Sequence, residues 1–314
     1  MGLGVLEIRL LEKLIRAEKI RSVAALGRPV LMLPDLKTER AYLGQVVPDK
    51  DRDADGFPFW EPWLARLSIL RSLSMDVSRH EGATLVHDLN QPLPAGQRRR
   101  WDLVIDPGTC EHAWNYAQAI QNAADLVRPG GWLFFGSPCE GMAGHGFFQI
   151  SPEFFYRRFD RSQGFSFTQV WLNCPASSSK VFSVVDSRLV GARNPSPGKA
   201  SLLLCVTRKN SKLASGGSAR PLLQSDYRAV LEARQPRGTA TRTKINKPGL
   251  KAFARKILSK KTYAKIVAWK ARFMRVGSFG PSRAHYRPVA IWPPTDFPRL
   301  NQAESKAEST DVRS

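Results

Sequence analysis

Three aspartates, each closing a short apolar run, are the residues of this chain best placed to do chemistry. Asp76 ends SLSMD, Asp88 follows ATLVH, and Asp106 ends WDLVID. A carboxylate can accept two hydroxyl hydrogens at once, and ligands of open α/β sheets bind outside the carboxyl ends of the strands. The plainer reading of each is an acid that ends a strand or caps the next helix. Two imidazoles could move a proton near neutral pH. His112 follows Glu111 at a helix start, and His145 sits between Gly144 and Gly146. Either can equally be a structural histidine bonded to nearby backbone. Four separated cysteines form no CxxC pair, so they read as reduced thiols, and no metal site is expected.

Residues 101–135 order these groups. An apolar strand ends at Asp106 in a Pro-Gly turn, then a helix-length segment runs to the turn Arg128-Pro129-Gly130-Gly131, and a second strand spans 132–135. Strand–helix–strand units of this kind build parallel sheets. Apolar spacing places a helix over residues 5–20 and strands over 22–27, 72–77 and 83–87. A further helix is expected over 63–70 and another over 113–127. Ser151 and Pro152 read as a helix start. Residues 166–172 and 200–207 read as closing strands, with 174–197 weakly patterned between them. A Ser/Gly-rich stretch after Lys209 marks a domain boundary. The expected domains are 1–209, a basic and partly helical extension over 210–300, and a disordered tail over 301–314.

The strand-end acid followed by Leu126-Val127-Arg128-Pro129-Gly130-Gly131 resembles the class I S-adenosylmethionine-dependent methyltransferases. The segment Gly144-His145-Gly146-Phe147-Phe148-Gln149-Ile150-Ser151-Pro152 is similar to one in bacterial methyltransferase-like proteins of type 11. The resemblance implies an α/β fold with a doubly wound, mostly parallel, Rossmann-like sheet. It implies S-adenosylmethionine as cofactor and a small-molecule or glycan-type acceptor. Asp76 would hold the ribose hydroxyls, Asp88 with Leu89 the adenine edge, and Asp106 the pocket wall. His145 would be the acceptor-side base. Phe147, Phe148, Phe154 and Phe155 read as core. The departure is at the first strand, where the family's acid and G-x-G-x-G are replaced by Ala24-Ala25-Leu26-Gly27-Arg28-Pro29. Only Gly27 remains to form the turn, and Arg28 and Pro29 would crowd the ligand's approach. The rival reading is a methyltransferase-like fold that has lost the cofactor and serves as a binding or scaffolding protein.

Charge separates the chain into parts. The net charge is +21, and residues 210–300 hold 20 Lys and Arg against only Asp226, Glu232 and Asp296. Within them, 248–276 alternates an apolar helical face with a basic one. Three readings are open: a packed helix with a solvated basic face, an interfacial helix on anionic lipid, or a phosphate-binding surface. The last has no accompanying nucleic-acid motif. Glu7, Glu12 and Glu18 interrupt the apolar spacing that a signal peptide needs. No run approaches the roughly 18 apolar residues of a membrane span. A cytoplasmic protein, peripheral to a membrane at most, is the expectation. Deleting 248–276 is expected to reduce co-sedimentation with anionic vesicles; unchanged sedimentation would remove the lipid reading.

Overall fold

The computed structural model describes residues 2–174, 180–190, 194–210, 222–225, 285–295 and 297. Strand β1 (Gly2–Gly4) leads into helix α1 (Val5–Ala17), and β2 (Ser22–Leu26) follows. Then come β3 (Val30–Met32), α2 (Leu36–Leu43), α3 (Glu61–Arg66), β4 (Arg71–Asp76), β5 (Leu85–Val86) and β6 (Trp101–Asp106). After a 3-10 turn at Cys110–His112, the chain forms α4 (Tyr116–Leu126), β7 (Val127–Glu140) and α5 (Pro152–Arg158). It closes with β8 (Phe165–Asn173), β9 (Val181–Val184), α6 (Ser187–Val190), β10 (Ser201–Lys209) and β11 (Tyr286–Pro288).

Nine strands make one sheet in the order β11-β9-β8-β10-β7-β6-β2-β4-β5, while β1 pairs with β3 separately. The run β5-β4-β2-β6-β7 is parallel. Strand order reverses between β2 and β6, and such a switch point opens a crevice at the strand carboxyl ends. Every pairing from β7 through β10, β8 and β9 to β11 is antiparallel. The expected mostly parallel sheet is therefore mixed. β10 inserts between β7 and β8, and the hairpin-like return of β9 adds further reversed strands.

The alternation of side chains across the sheet builds two cores. Val23, Ala25, Leu103, Ile105, Trp132 and Phe134 face α1 and α3. Ala24, Leu26, Val104, Leu133 and Phe135 face α4 and α5. Strands apolar on both sides are what helices on both faces require. The chain is thus doubly wound, as expected. Arg128 to Gly131 do not end the helix before a fresh strand. They bulge out within β7, between the pairs Trp101↔Val127 and Leu103↔Trp132.

The expected boundary near Lys209 does not set the later described residues apart. β11 pairs with β9, Trp292 Nε1 donates to the Leu6 carbonyl at 2.9 Å, and Trp292 and Phe297 pack on Trp171. The basic stretch 248–276 and the tail 301–314 lie outside the described residues.

A buried ion pair pins the weakly patterned stretch to the body. Arg157 Nη2 reaches both oxygens of Asp186 at 2.5 and 2.6 Å. Burial works against the Asp186 carboxylate, but the Arg188 backbone N–H and guanidinium, together with Arg157, outweigh it and hold its pKa below the usual value. Asp186→Asn is expected to cost about 3–5 kcal/mol, because it strands the Arg157 charge. A depressed carboxylate stabilises above its unfolded pKa and loses that contribution as pH falls through its folded pKa. The gap in urea-unfolding stability between native and variant protein should therefore be flat near neutrality and close below about pH 4.

Candidate functional site

The carboxyl ends of β4, β5 and β6 surround a cavity of about 470 Å³. Asp76, Asp88 and Leu89 all line it, with Glu81, Thr109 and His112. Asp76 closes β4, and its Oδ1 lies 3.4 Å from the Ser78 N–H. Asp88 lies just beyond β5, where Oδ1 accepts the Asn90 backbone N–H at 2.9 Å and its side-chain amide at 2.7 Å. Those two bonds hold the Asp88 pKa below its ordinary value. The loop itself is anchored from below. Buried Asn122 on α4 donates to the carbonyls of Leu89 and Gln91 and accepts from the Leu93 N–H. Asn122 is a positioning residue that sequence reading missed; a polar residue on the apolar face of α4 was its one signal.

Asp106 is placed differently. It is fully buried and lines neither this cavity nor the one described next. Its Oδ1 accepts the N–H groups of Thr109 at 2.7 Å and of Gly108 and Cys110 at 3.3 Å. It caps its own turn. Burial pushes its pKa up, and the Cys110 thiol and these N–H groups only partly offset that.

Gly27 also lines neither cavity. Its φ of +73° suits glycine, and its N–H donates to the Met75 carbonyl at 2.6 Å. Arg28 does not fill the crevice. Its guanidinium stacks 3.7 Å from the Phe59 ring centre, bonds Glu61 Oε1 at 2.9 Å, and reaches the Glu81 carbonyl at 2.7 Å.

A second cavity of about 370 Å³ lies over β6 and β7, lined by Glu7, Gly108, Glu111, Phe134, Met142 and His145 among others. The turn after β6 separates the two cavities and contributes to both. His145 Nε2 lies 3.4 Å from Glu111 Oε1, and the rings of His145 and His112 meet edge-on with centres 5.0 Å apart. Glu111 is fully buried. Burial and the nearby Asp106 push its pKa up to about 8. Of the four phenylalanines expected in the core, Phe155 is fully buried, whereas Phe147 is exposed and meets Trp114 edge-on.

No family model matches the chain, and no curated protein matches it. Solved structures resemble it distantly. One, from Thermotoga maritima, is an S-adenosylmethionine-dependent methyltransferase, possibly a histamine N-methyltransferase. It is 12% identical, with 66% of this chain and 89% of that one covered and a TM-score of 0.35. A second, from Burkholderia thailandensis, is 1,6-didemethyltoxoflavin-N1-methyltransferase with bound 1,6-didemethyltoxoflavin and S-adenosylhomocysteine. It is 13% identical, covering 65% and 78%, with a TM-score of 0.33. A third is an S-adenosylmethionine-dependent methyltransferase from Archaeoglobus fulgidus, 10% identical, covering 64% and 94%, with a TM-score of 0.36. Likenesses this distant leave function to be argued from the cavities themselves.

The loop that carries His145 depends on one glycine. Gly146 has φ +72°, and a Cβ there would sit 2.8 Å from Glu111 Cγ and 3.0 Å from its carbonyl oxygen. Gly146→Ala is expected to lower unfolding stability by about 1–3 kcal/mol. Gly144→Ala, where a Cβ would meet nothing within 4 Å, should stay within about 0.5 kcal/mol of the native protein in the same urea titration.

Proposed function

We propose that the chain transfers a methyl group from S-adenosylmethionine to a small-molecule or glycan-type acceptor. One observation carries this reading. In a chain of net charge +21, the cavity at the switch point is lined by Asp76, Glu81 and Asp88 and, among the described residues, by no Lys or Arg. A phosphate-bearing ligand wants the opposite lining. A cationic ligand rich in hydroxyls and ring nitrogens fits this one, and the volume lies within the range of small-molecule sites.

In this reading Asp76 accepts ribose hydroxyls and Asp88 accepts from the adenine edge beside the apolar Leu89. Bound cofactor would supply a methyl group already activated on a sulfonium, so alignment and exclusion of water carry most of the rate. Asn122 and Asp106 hold the loops that provide that alignment. On the acceptor side, His145 takes the proton that the acceptor loses as it gains the methyl group. The role first given to Asp106 becomes one of support, since its Oδ1 is spent on its own turn and the residue lines neither cavity.

A second reading has its own observation. The Gly27 N–H, which a cofactor would otherwise find at the end of β2, is already bonded to Met75. That favours a methyltransferase-like binding or scaffolding protein without catalysis, with 248–276 as a candidate membrane-facing part. Calorimetric titration with S-adenosylhomocysteine separates the two. Methyl transfer predicts saturable binding that Asp88→Ala weakens by about tenfold or more, or ~1.4 kcal/mol. A folded protein giving no heat at millimolar ligand would leave the scaffold.

A further inference from the structure

We propose that Glu111, His112 and His145 bind a divalent transition-metal cation, with Zn2+ as the type case, at the turn between the two cavities. One ligand atom from each lies within 4.8 Å of the others. Two ligands on one tetrahedral Zn2+ stand about 3.4 Å apart at the usual bond lengths. Glu111 Oε1 and His145 Nε2 already have that separation, 3.4 Å. The remaining distances need to shorten by at most ~1.4 Å to reach the same geometry. Both imidazoles are exposed, so rotation of their side chains can supply the change without moving packed backbone.

The buried carboxylate is an independent observation pointing the same way. Neither oxygen of Glu111 has a hydrogen-bond partner of good geometry among the described residues, although the residue is fully buried. An uncompensated carboxylate in such a place is costly, and a cation removes the cost. Its surroundings are shaped to keep it there. A Cβ at Gly108 would come within 3.0 Å of Oε1, and one at Gly146 within 2.8 Å of Cγ, and both glycines have positive φ. The two backbones close on the carboxylate and leave it facing the imidazoles.

Donor chemistry selects the class of ion. Two imidazoles and one carboxylate suit Zn2+, Co2+, Ni2+ or Fe2+, whereas Mg2+ prefers oxygen ligands and retained water. Three protein ligands leave a position for water or for a substrate oxygen. His112 lines the larger cavity, while Glu111 and His145 line the smaller. The ion therefore borders both. It does not depend on methyl transfer, since the cation binds without any adenosyl ligand. If both readings hold, the cation would lower the pKa of the acceptor oxygen, whose proton would pass to water before the methyl group arrives, and His145 would serve as a ligand in place of the base.

The test uses the full chain, stripped with a chelator and titrated calorimetrically with Zn2+, with Co2+ absorption in the visible as a second readout. The expected result is one equivalent bound with sub-micromolar affinity and no comparable binding of Mg2+. Glu111→Gln and His145→Ala should each weaken Zn2+ binding by about 100-fold and abolish the Co2+ band. His87→Ala, whose imidazole sits 3.1 Å from the Gln91 carbonyl, should leave both unchanged. Absent binding, or binding that survives both ligand substitutions, overturns the proposal. Should Glu111→Gln fail to fold, His145→Ala decides the matter, since that side chain is half-exposed and its fold is checked by far-UV circular dichroism. Failure here leaves the S-adenosylhomocysteine titration untouched, and the converse holds.

Discussion

The carboxyl side of the sheet is organised by one buried carboxylate. Asp106 gathers the N–H groups of Gly108, Thr109 and Cys110 around a single oxygen. That forces the chain leaving β6 into a tight turn, and the Thr109 hydroxyl then donates to the Leu26 carbonyl at 2.5 Å. The end of β6 is thereby locked to the end of β2, across the switch point. Glu111 and His112 follow immediately, so their positions are inherited from that turn. The Phe147 N–H bonds the Glu111 carbonyl at 2.8 Å, which carries the lock on to the loop bearing His145. Bonds to an ionised acceptor contribute about 1.5–3 kcal/mol each, yet burial is the largest influence on the Asp106 pKa and raises it. The turn is held in spite of a desolvation cost.

The central strands were legible because each is apolar on two faces and bounded by turn residues. Leu103-Val104-Ile105 and Trp132 to Phe135 are short apolar runs flanked by Gly and Pro, which reads as interior strand, and the Pro107-Gly108 turn marks where the first ends. The strand read over 83–87 is only two residues long for a local reason. Ser74 and Thr84 bond each other's backbone N–H through their hydroxyls, which replaces ladder bonds with side-chain ones. β9 was not legible, since it is only four residues long and its outer partner, β11, lies some hundred residues away in sequence. Asp76 and Asp88 were legible as strand-end acids. The Glu111–His145 meeting was not, because a long-range backbone bond, without sequence periodicity, joins their loops.

The turn after β2 explains why the glycine-rich pattern is missing. Pro29 disfavours helical backbone at Arg28, so no helix starts there. The chain instead extends into β3, which needs an extended path to pair with β1. A dinucleotide-binding sheet uses a helix N-terminus at this point to hold a diphosphate. Here that positive pole is absent, and the neighbouring Arg28 is spent on Glu61, Glu81 and Phe59. What remains at the switch point is a negatively lined hollow. The same departure that weakens the likeness to known sequences thus makes the cavity better suited to a cation than to a phosphate.

The strongly basic part of the chain is bracketed by docked residues. Before it, the Ser225 N–H donates to Glu153 of α5 at 2.7 Å. After it, the Val185 N–H bonds the His285 carbonyl, and Tyr286 places its hydroxyl 2.7 Å from the Pro195 carbonyl. Both anchors lie outside 248–276, and both fall on the half of the domain built by α5, β8 and β9. The entropic cost of bringing two anchors together grows only slowly with the length of chain between them, so modest anchors suffice. The described residues on either side of the basic stretch are thus attached to the half of the domain built by α5, β8 and β9, whereas the acidic cavity is built at the ends of β4 and β5.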